Sequence, residues 1–502
     1  MREIYLYNTL TRRKERLEPR EPGKICMYVC GVTPYSPCHL GHARCYLAYD
    51  MIRRYLEYCG YEVFHVQNFT DVDDKIIAQA REEGVAVADL AARMIAEYFR
   101  DMDALGVKRA HRYPRVTAHI PDIIEVVQAL VEKEYAYVVE GDVYLEVRKI
   151  PDYGKLSGQT LDELRAGASE RVEVDERKRD PLDFALWKAA KPDEPQWESP
   201  WGPGRPGWHI ECSVMSLKYL GPGFDIHGGG PDLIFPHHEN EIAQSEAYTG
   251  KSFVRYWLHN GLLNVRGEKM SKSLRNYFTV QAALERYEPD VVRLYLLSKH
   301  YRSSLDFELR ERDGEVEMPQ LEEAARALER VQLTLQQVER AVACPPVVAD
   351  DPPQLKDLQF RLTATEERFH AALSDDFNSA AAIGSLFSLV GELNRMLNAS
   401  DFRPTDGVQA ALSAGRDMLL ELGGVLGLFQ QPRQEPTLGV DLSAELLKVL
   451  ISVRQQARER RDWATADAIR DRLATLGVVL EDRPEGTTWR RTKKAAKNEK
   501  NS

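Results

Sequence analysis

A chain of 502 residues, 43% hydrophobic and 29% charged, is too long for a single core and has the composition of a soluble globular protein, so two or more domains are expected. No apolar run is long enough to cross a bilayer, and the start, MREIYLYNTLTRRKERLEPR, lacks the apolar centre of a secretory signal; a cytoplasmic protein with no membrane partner is expected. The net charge of −11 argues only weakly against a nucleic-acid partner, because the placement of the basic residues decides that affinity.

In chain order, KICMYVCGV predicts a buried strand bounded by Gly31 and Pro34. A helix follows from His39, with Leu40, Ala43, Leu47, Met51, Tyr55 and Tyr58 on one stripe and Gly60 ending it. YEVFHVQNF predicts a second strand, and Thr70 with Asp73 is expected to cap the next helix. This βαβ start implies a parallel sheet with its ligand at the carboxyl ends of the strands. Helical periodicity runs from about 72 to 135, and VYLEVRKIPDYGKLSG then predicts extended chain, the mark of an insertion between two halves of a sheet. Residues 192–208, rich in Pro, Gly and Trp, predict an ordered loop. FDIHGGG predicts a further buried strand, and GLLNVRGEKMSKS a short strand running into a polar loop. Beyond residue 315 long amphipathic helices predict a bundle, and QQPRQEPT a linker. The last unit combines two helices with GVVLEDRPEGTTW, a small sheet element.

The expected architecture is α/β. A Rossmann-like parallel-sheet domain is split into 1–115 and 216–314 by a connective insertion at 116–215. An α-helical bundle at 315–430, a linker at 431–437, a small α+β domain at 438–489 and a basic tail at 490–502 follow.

Seven cysteines, at 26, 30, 38, 45, 59, 212 and 344, are an odd number in a large chain without a signal, which argues against a disulfide framework. His39 and His42 open a helix just after a strand, where unpaired backbone N–H groups and the helix dipole attract phosphate; Gly41 leaves room beside them. Lys269 and Lys272, in KMSKS after Gly267, suit a leaving pyrophosphate. Cys30 ends the first strand, while Cys212 follows GWHIE. His237 and Glu241 lie four apart in HHENE and share a helical face from which His238 points away. Two thiolates, an imidazole and a carboxylate form a zinc-type donor set. Without a short CxxC, spacing alone favours core for Cys212, a helix cap for His237 and a solvated face for Glu241.

HLGH and KMSKS resemble the two signatures of the class I aminoacyl-tRNA synthetases, with Leu40 in place of the more usual isoleucine. CGVTPYSPCHLGHAR, FTDVDDK, GWHIECS, FDIHGGGPDLIFPHHENEIAQS, EKMSKSLRN, DWATADAIRDRL and GTTWRR, in that order, are similar to the cysteinyl-tRNA synthetase family over nearly the whole chain. That resemblance implies a ligase that forms cysteinyl-adenylate from L-cysteine and ATP with Mg²⁺, then charges the terminal adenosine of tRNA(Cys), as a monomer. It implies one zinc ion, held by Cys30, Cys212, His237 and Glu241, that reads the substrate thiol against the serine hydroxyl. Catalysis falls to His39, His42, Lys269 and Lys272. ATP contacts are implied for His39, Gly41, His42, Gly230, Asp232, Lys269, Met270, Ser271, Lys272 and Ser273, and cysteine contacts for Gly31, Thr70, Trp208 and His227. Trp489, Arg490 and Arg491 are expected to bind tRNA by stacking and phosphate contact. Cys38 and Cys45 are assigned to packing.

Three rivals are weighed. A cysteine ligase with an amino-sugar acceptor, of the mycothiol pathway, shares the catalytic region but lacks a complete anticodon-binding end. A non-catalytic RNA-binding paralogue has no need of HLGH and KMSKS. A generic nucleotidyltransferase leaves GWHIECS and the C-terminal half unexplained. A persulfide-forming side activity through Lys75 stays open, because KIIAQA matches that pattern only in part.

Overall fold

The computed structural model describes residues 2–166, 176–265, 268–269, 277–312, 315–430, 442–475, 478–483 and 486–491. Its chain divides into two compact units, 1–430 and 431–502.

In the first unit, strand β1 (Lys24–Val29) leads through helix α1 (Leu40–Tyr58) to β2 (Glu62–Gln67). More than 130 residues later, helix α2 (Trp208–Leu220) leads to β3 (Phe224–Gly229), and helix α3 (Glu239–Thr249) to β4 (Val254–His259). All pairs are parallel, in the spatial order β4-β3-β1-β2. The chain turns outward in opposite directions from β1 and β3, and the gap between their carboxyl ends is where such sheets bind ligands.

Alternation along β1 sorts its side chains between two cores. Ile25, Met27 and Val29 pack with α1 and the C-terminal helices, whereas Tyr28 and Cys30 face Cys212 and Met215 of α2 and Ile242 of α3. This parity is what aims Cys30 at the same side as Cys212. Helix α1 is buried along its predicted stripe from Leu40 to Tyr55, while Tyr58 is 39% exposed. Cys59 caps it and Gly60 follows at φ +90°.

Thr70 does not cap the next helix. Asp73 does, its side chain accepting from the backbone N–H of Lys75, and the helix runs Asp74–Glu83. VYLEVRKIPDYGKLSG is strand only in its first three residues, which end the strand Asp142–Leu145; a single 3₁₀ turn, Val147–Lys149, and further turns replace the rest. The insertion carries an antiparallel sheet of Ala136–Val139, Asp142–Leu145, Phe184–Ala189 and Gly204–Pro206. That sheet ends at Pro206, so an insertion boundary at 215 would cut α2, which belongs to the parallel layer.

Helices Pro319–Ala343, Gln354–Ser374, Ser379–Leu397 and Asp406–Val425 form the expected bundle, sharing one core with α1. A buried ion pair joins them to the parallel-sheet layer. Arg293, in helix Pro289–Leu297, donates to Asp50 of α1 and to the carbonyls of Leu426 at 2.6 Å and Leu105 at 3.1 Å; both charged side chains are 1% exposed. Burial alone would raise the Asp50 carboxyl, but Arg293 and Arg54 outweigh it and hold it below the usual carboxylate range. Its stabilising effect is therefore complete above the ordinary aspartate range and is lost as pH falls through the lowered folded value. Arg293→Met should cost about 3–5 kcal/mol in urea unfolding at neutral pH, because it strands the carboxylate; unchanged stability would contradict this.

The second unit pairs helices Leu442–Glu459 and Trp463–Thr475 with the antiparallel hairpin Val478–Arg483 and Gly486–Arg491. Its core is Leu447, Leu473 and Val478, with Ile469, Leu480 and Trp489 packed on it. The expected linker at 431–437 and the tail from 492 onward lie outside the described residues. Among the described residues, no helix is long and apolar enough to cross a membrane.

Candidate active site and metal centre

Two groups of side chains meet at the carboxyl ends of β1 and β3. Cys30, at the tip of β1, lies 3.8 Å from Cys212 (Sγ to Sγ) and 3.6 Å from Glu241 Oε1. His237 Nε2 is 3.0 Å from that same carboxylate oxygen. The four expected ligands offer donor atoms that all lie within 4.8 Å of one another, and all four residues are buried. Their charge states suit a cation. The Cys30 S–H, donating to Cys212, is the largest influence on that thiol and brings it down to about 6 against burial. Burial would likewise raise Glu241, but His227 and His237 pull it to about 2. Burial would lower His237, yet Glu241 and Cys212 lift it to about 10. A proton on His237 thus balances two buried anions, a place that a metal ion would take over on electrostatic grounds.

His238 does not point away from this cluster. Its Nε2 is 3.3 Å from Cys30 Sγ, and Cys30, His227, His238 and Glu241 form a second group of converging donors. His238 and Glu241 are three residues apart, and side chains three apart share a helical face as those four apart do. His238 itself has helical angles (φ −68°, ψ −33°) just ahead of α3, which starts at Glu239, while the chain before it is kinked at the extended Phe235 (φ −136°, ψ 132°). Polar neighbours hold the cluster side chains from behind. His227 Nε2 meets Glu241 Oε2 at 2.9 Å, His209 Nδ1 meets His237 Nδ1 at 3.1 Å, and His259 Nε2 meets His238 Nδ1 at 2.8 Å. Such partners fix ring orientation. His209, His238 and His259 join the expected residues; the histidine within GWHIE, the second histidine of HHENE and the histidine that ends β4 were the available signal.

Beside the cluster lies a cavity of about 400 Å³, lined by Cys30, Gly31, His39, Gly41, His42, Lys75, Trp208, Gly230, Asp232 and Asn260–Leu263. His39 caps α1: its Nδ1 accepts from the His42 backbone N–H at 3.3 Å, and His42 Nδ1 accepts from the His39 N–H at 3.4 Å. With Nδ1 an acceptor in both rings, a neutral imidazole carries its proton on Nε2 and can donate from there. The two rings stack at 3.8 Å. Trp208 stacks on the imidazole of His237 at 4.4 Å and also lines the cavity, so it is shared by cluster and cavity. Gly31 accommodates the carbonyl of Asn68, which would sit 1.5 Å from any added Cβ; its N–H donates to Asn68 Oδ1 at 2.8 Å.

Thr70 and His227, expected at the amino acid, do not line this cavity. Thr70 donates to Glu211 at 2.9 Å, and burial raises that carboxyl well above its usual range, favouring its neutral form; His227 stands behind Glu241. Cys38 is buried, as assigned, but Cys45 lies on the cavity wall. Lys269 ends the two-residue strand Glu268–Lys269, paired with Leu263–Val265, while Met270, Ser271, Lys272 and Ser273 lie outside the described residues.

Residues 16–313 match the family described as tRNA synthetases class I (C) catalytic domain, 368–430 a DALR domain, and 441–490 the cysteinyl-tRNA ligase anticodon binding domain. The cysteine–tRNA ligases of Pelotomaculum thermopropionicum and Moorella thermoacetica are each 54% identical over 494 and 496 residues, covering 97% of this chain and 99% and 100% of theirs. The chain belongs to the cysteine–tRNA ligase family. Membership makes it a class I aminoacyl-tRNA synthetase, hence a ligase. Mycobacterium tuberculosis methionyl-tRNA synthetase bound by methionyl-adenylate shares the fold, with a TM-score of 0.57 at 17% identity over 80% of this chain and 92% of that one.

Proposed function

We propose that the chain activates L-cysteine with ATP, supplied as its magnesium complex, and transfers it to the terminal adenosine of tRNA(Cys). The observation that carries this reading is one cavity lined both by Cys30, a member of the Cys–Cys–His–Glu cluster, and by the paired histidines at the start of α1. Cys30, Cys212, His237 and Glu241 would hold zinc. When bound, zinc supplies a soft Lewis acid that favours a thiolate over a hydroxyl.

The remaining chemistry belongs to the chain. The cysteine carboxylate attacks the α-phosphate in line, while His39 and His42 donate from Nε2 to phosphate oxygens whose charge grows. Lys269 and Lys272 receive the departing pyrophosphate. Gly31 and Trp208 border the amino acid; Gly230 and Asp232 border the ribose. The tRNA hydroxyl then attacks the adenylate carbonyl and AMP leaves. Most of the acceleration comes from alignment and fixed dipoles rather than from a covalent enzyme intermediate. ATP–pyrophosphate exchange with cysteine against serine tests the reading; exchange that is equal for both would refute it.

We place tRNA contacts on the C-terminal unit, which favours a tRNA over an amino-sugar acceptor. Trp489 is half-buried against that unit's core, whereas Trp463 is 57% exposed and follows Arg460 and Arg461 at the start of its helix. Trp463 is therefore the better stacking surface. Trp463→Ala should lower kcat/KM for tRNA charging by about 5–150-fold, the equivalent of about 1–3 kcal/mol for one stacked base. Removal of residues 438–502 should abolish charging and leave pyrophosphate exchange intact; equal charging by the truncated chain would move the contacts elsewhere.

A further inference from the structure

The residue two places beyond His42 is a buried cation facing four carbonyls. Arg44 is 2% exposed, and among the described residues it has no carboxylate within ion-pair distance. Its Nε donates to Gly261 O at 3.3 Å, Nη1 to Leu296 O at 2.6 Å, and Nη2 to His300 O at 3.3 Å and to Ser303 O. Burying a guanidinium without a counter-charge is costly, and an apolar side chain would fill the space more cheaply. What a hydrophobe or a lysine lacks is the rigid planar fork that holds several acceptors in one fixed arrangement.

One of those acceptors, Gly261, lines the cavity that His39 and His42 also line, and the other three lie in the segment packed behind it. Gly261, Leu262 and Leu263 line the same cavity, and the strand Leu263–Val265 pairs with Glu268–Lys269. The Gly261 N–H donates to Tyr301 O at 2.7 Å, the Leu305 N–H to Leu262 O at 2.9 Å, and Leu263–Val265 runs parallel to Leu305–Phe307. An added Cβ on Gly261 would lie 2.2 Å from Ser303 O, so the two segments touch through their backbones. The Leu296–Ser303 segment is anchored from its far side: Tyr301 and Arg302 donate to Asp376 at 3.0 and 2.6 Å, and Ser379 Oγ to Leu297 O at 2.8 Å. Arg44 thus spans from the helix of the two histidines to a segment that is fixed elsewhere and carries the approach to Lys269.

We propose that Arg44 is a positioning residue for adenylate formation: its guanidinium sets the separation between the α1 histidines and the 261–265 wall that leads to Lys269. This rests on the adenylate-forming reading above. A displacement of about 1 Å between such groups costs about a hundredfold in rate. In the full-length chain, Arg44→Met and Arg44→Lys should each lower kcat of cysteine-dependent pyrophosphate exchange about a hundredfold, with KM for cysteine and bound zinc unchanged. Amide hydrogen exchange needs no substrate and should be faster at residues 261–265 in both variants. Unchanged kcat together with unchanged exchange at 261–265 would overturn the proposal, as would full kcat in Arg44→Lys, which keeps the charge and loses the fork. If Arg44→Met does not fold, Arg44→Lys decides alone. A wild-type chain with no cysteine-dependent activity would sink the functional reading instead, and the amide exchange would still judge Arg44.

Discussion

Cys212→Ser should bind no zinc and should lose cysteine-dependent pyrophosphate exchange by more than about a hundredfold. Replacing a group that only supports a metal ligand already costs about 10–100-fold, so loss of a ligand sets that range as a floor. The thiol concerned is the one that its neighbour holds at about 6, ready as a thiolate, and a hydroxyl in its place stays protonated. The residual set of Cys30, His237 and Glu241 keeps one thiol, one imidazole and one carboxylate, a donor short of the four-ligand set and with one of its two soft donors gone. Metal content measured by mass spectrometry on purified protein gives a readout independent of rate. A variant that retained one zinc per chain and wild-type exchange would remove Cys212 from the centre.

His39→Asn should lower kcat of pyrophosphate exchange by about 10²–10³-fold, the usual cost of removing one donor aimed at developing charge. The substitution separates two roles that one side chain fills. His39 is both the cap of α1 and a cavity-lining imidazole, and asparagine caps helices as well as any residue. Thermal stability should therefore move by less than about 1 kcal/mol while the rate falls. A parallel His42→Asn leaves the His39 Nδ1 acceptor and the backbone N–H it receives in place, and should show a comparable loss. A rate that falls only as far as stability does would reduce both histidines to helix-capping.

Much of this site could be read along the chain because its signals are local. HLGH sits where a strand meets a helix, and the phosphate-binding potential of a helix start follows from the backbone alone. The boundaries of β1, α1, β2 and β3, and the bundle helices, follow from apolar period and from glycine at the ends, since those preferences act within a few residues. The metal set is different in kind. Spacing joins only His237 to Glu241; nothing along the chain brings that pair to Cys30 and Cys212, and the likeness to a family is what singled out the donor set that the residue types allowed.

What tertiary structure alone decided was which side chains face each other. Cys30 reaches Cys212 because strand parity sends it to the α2 face, and the packing of α3 against that face brings His238 within 3.3 Å of Cys30. Thr70 serves Glu211 rather than a helix start, Trp489 is packed while Trp463 is open, and Arg44 finds its four carbonyls more than 210 residues away. The physical reason is common to all of these. Backbone preferences are short-ranged and written in neighbouring residues, whereas a side chain's partner is set by how whole layers pack, and a one-residue change in turn type or strand parity redirects it.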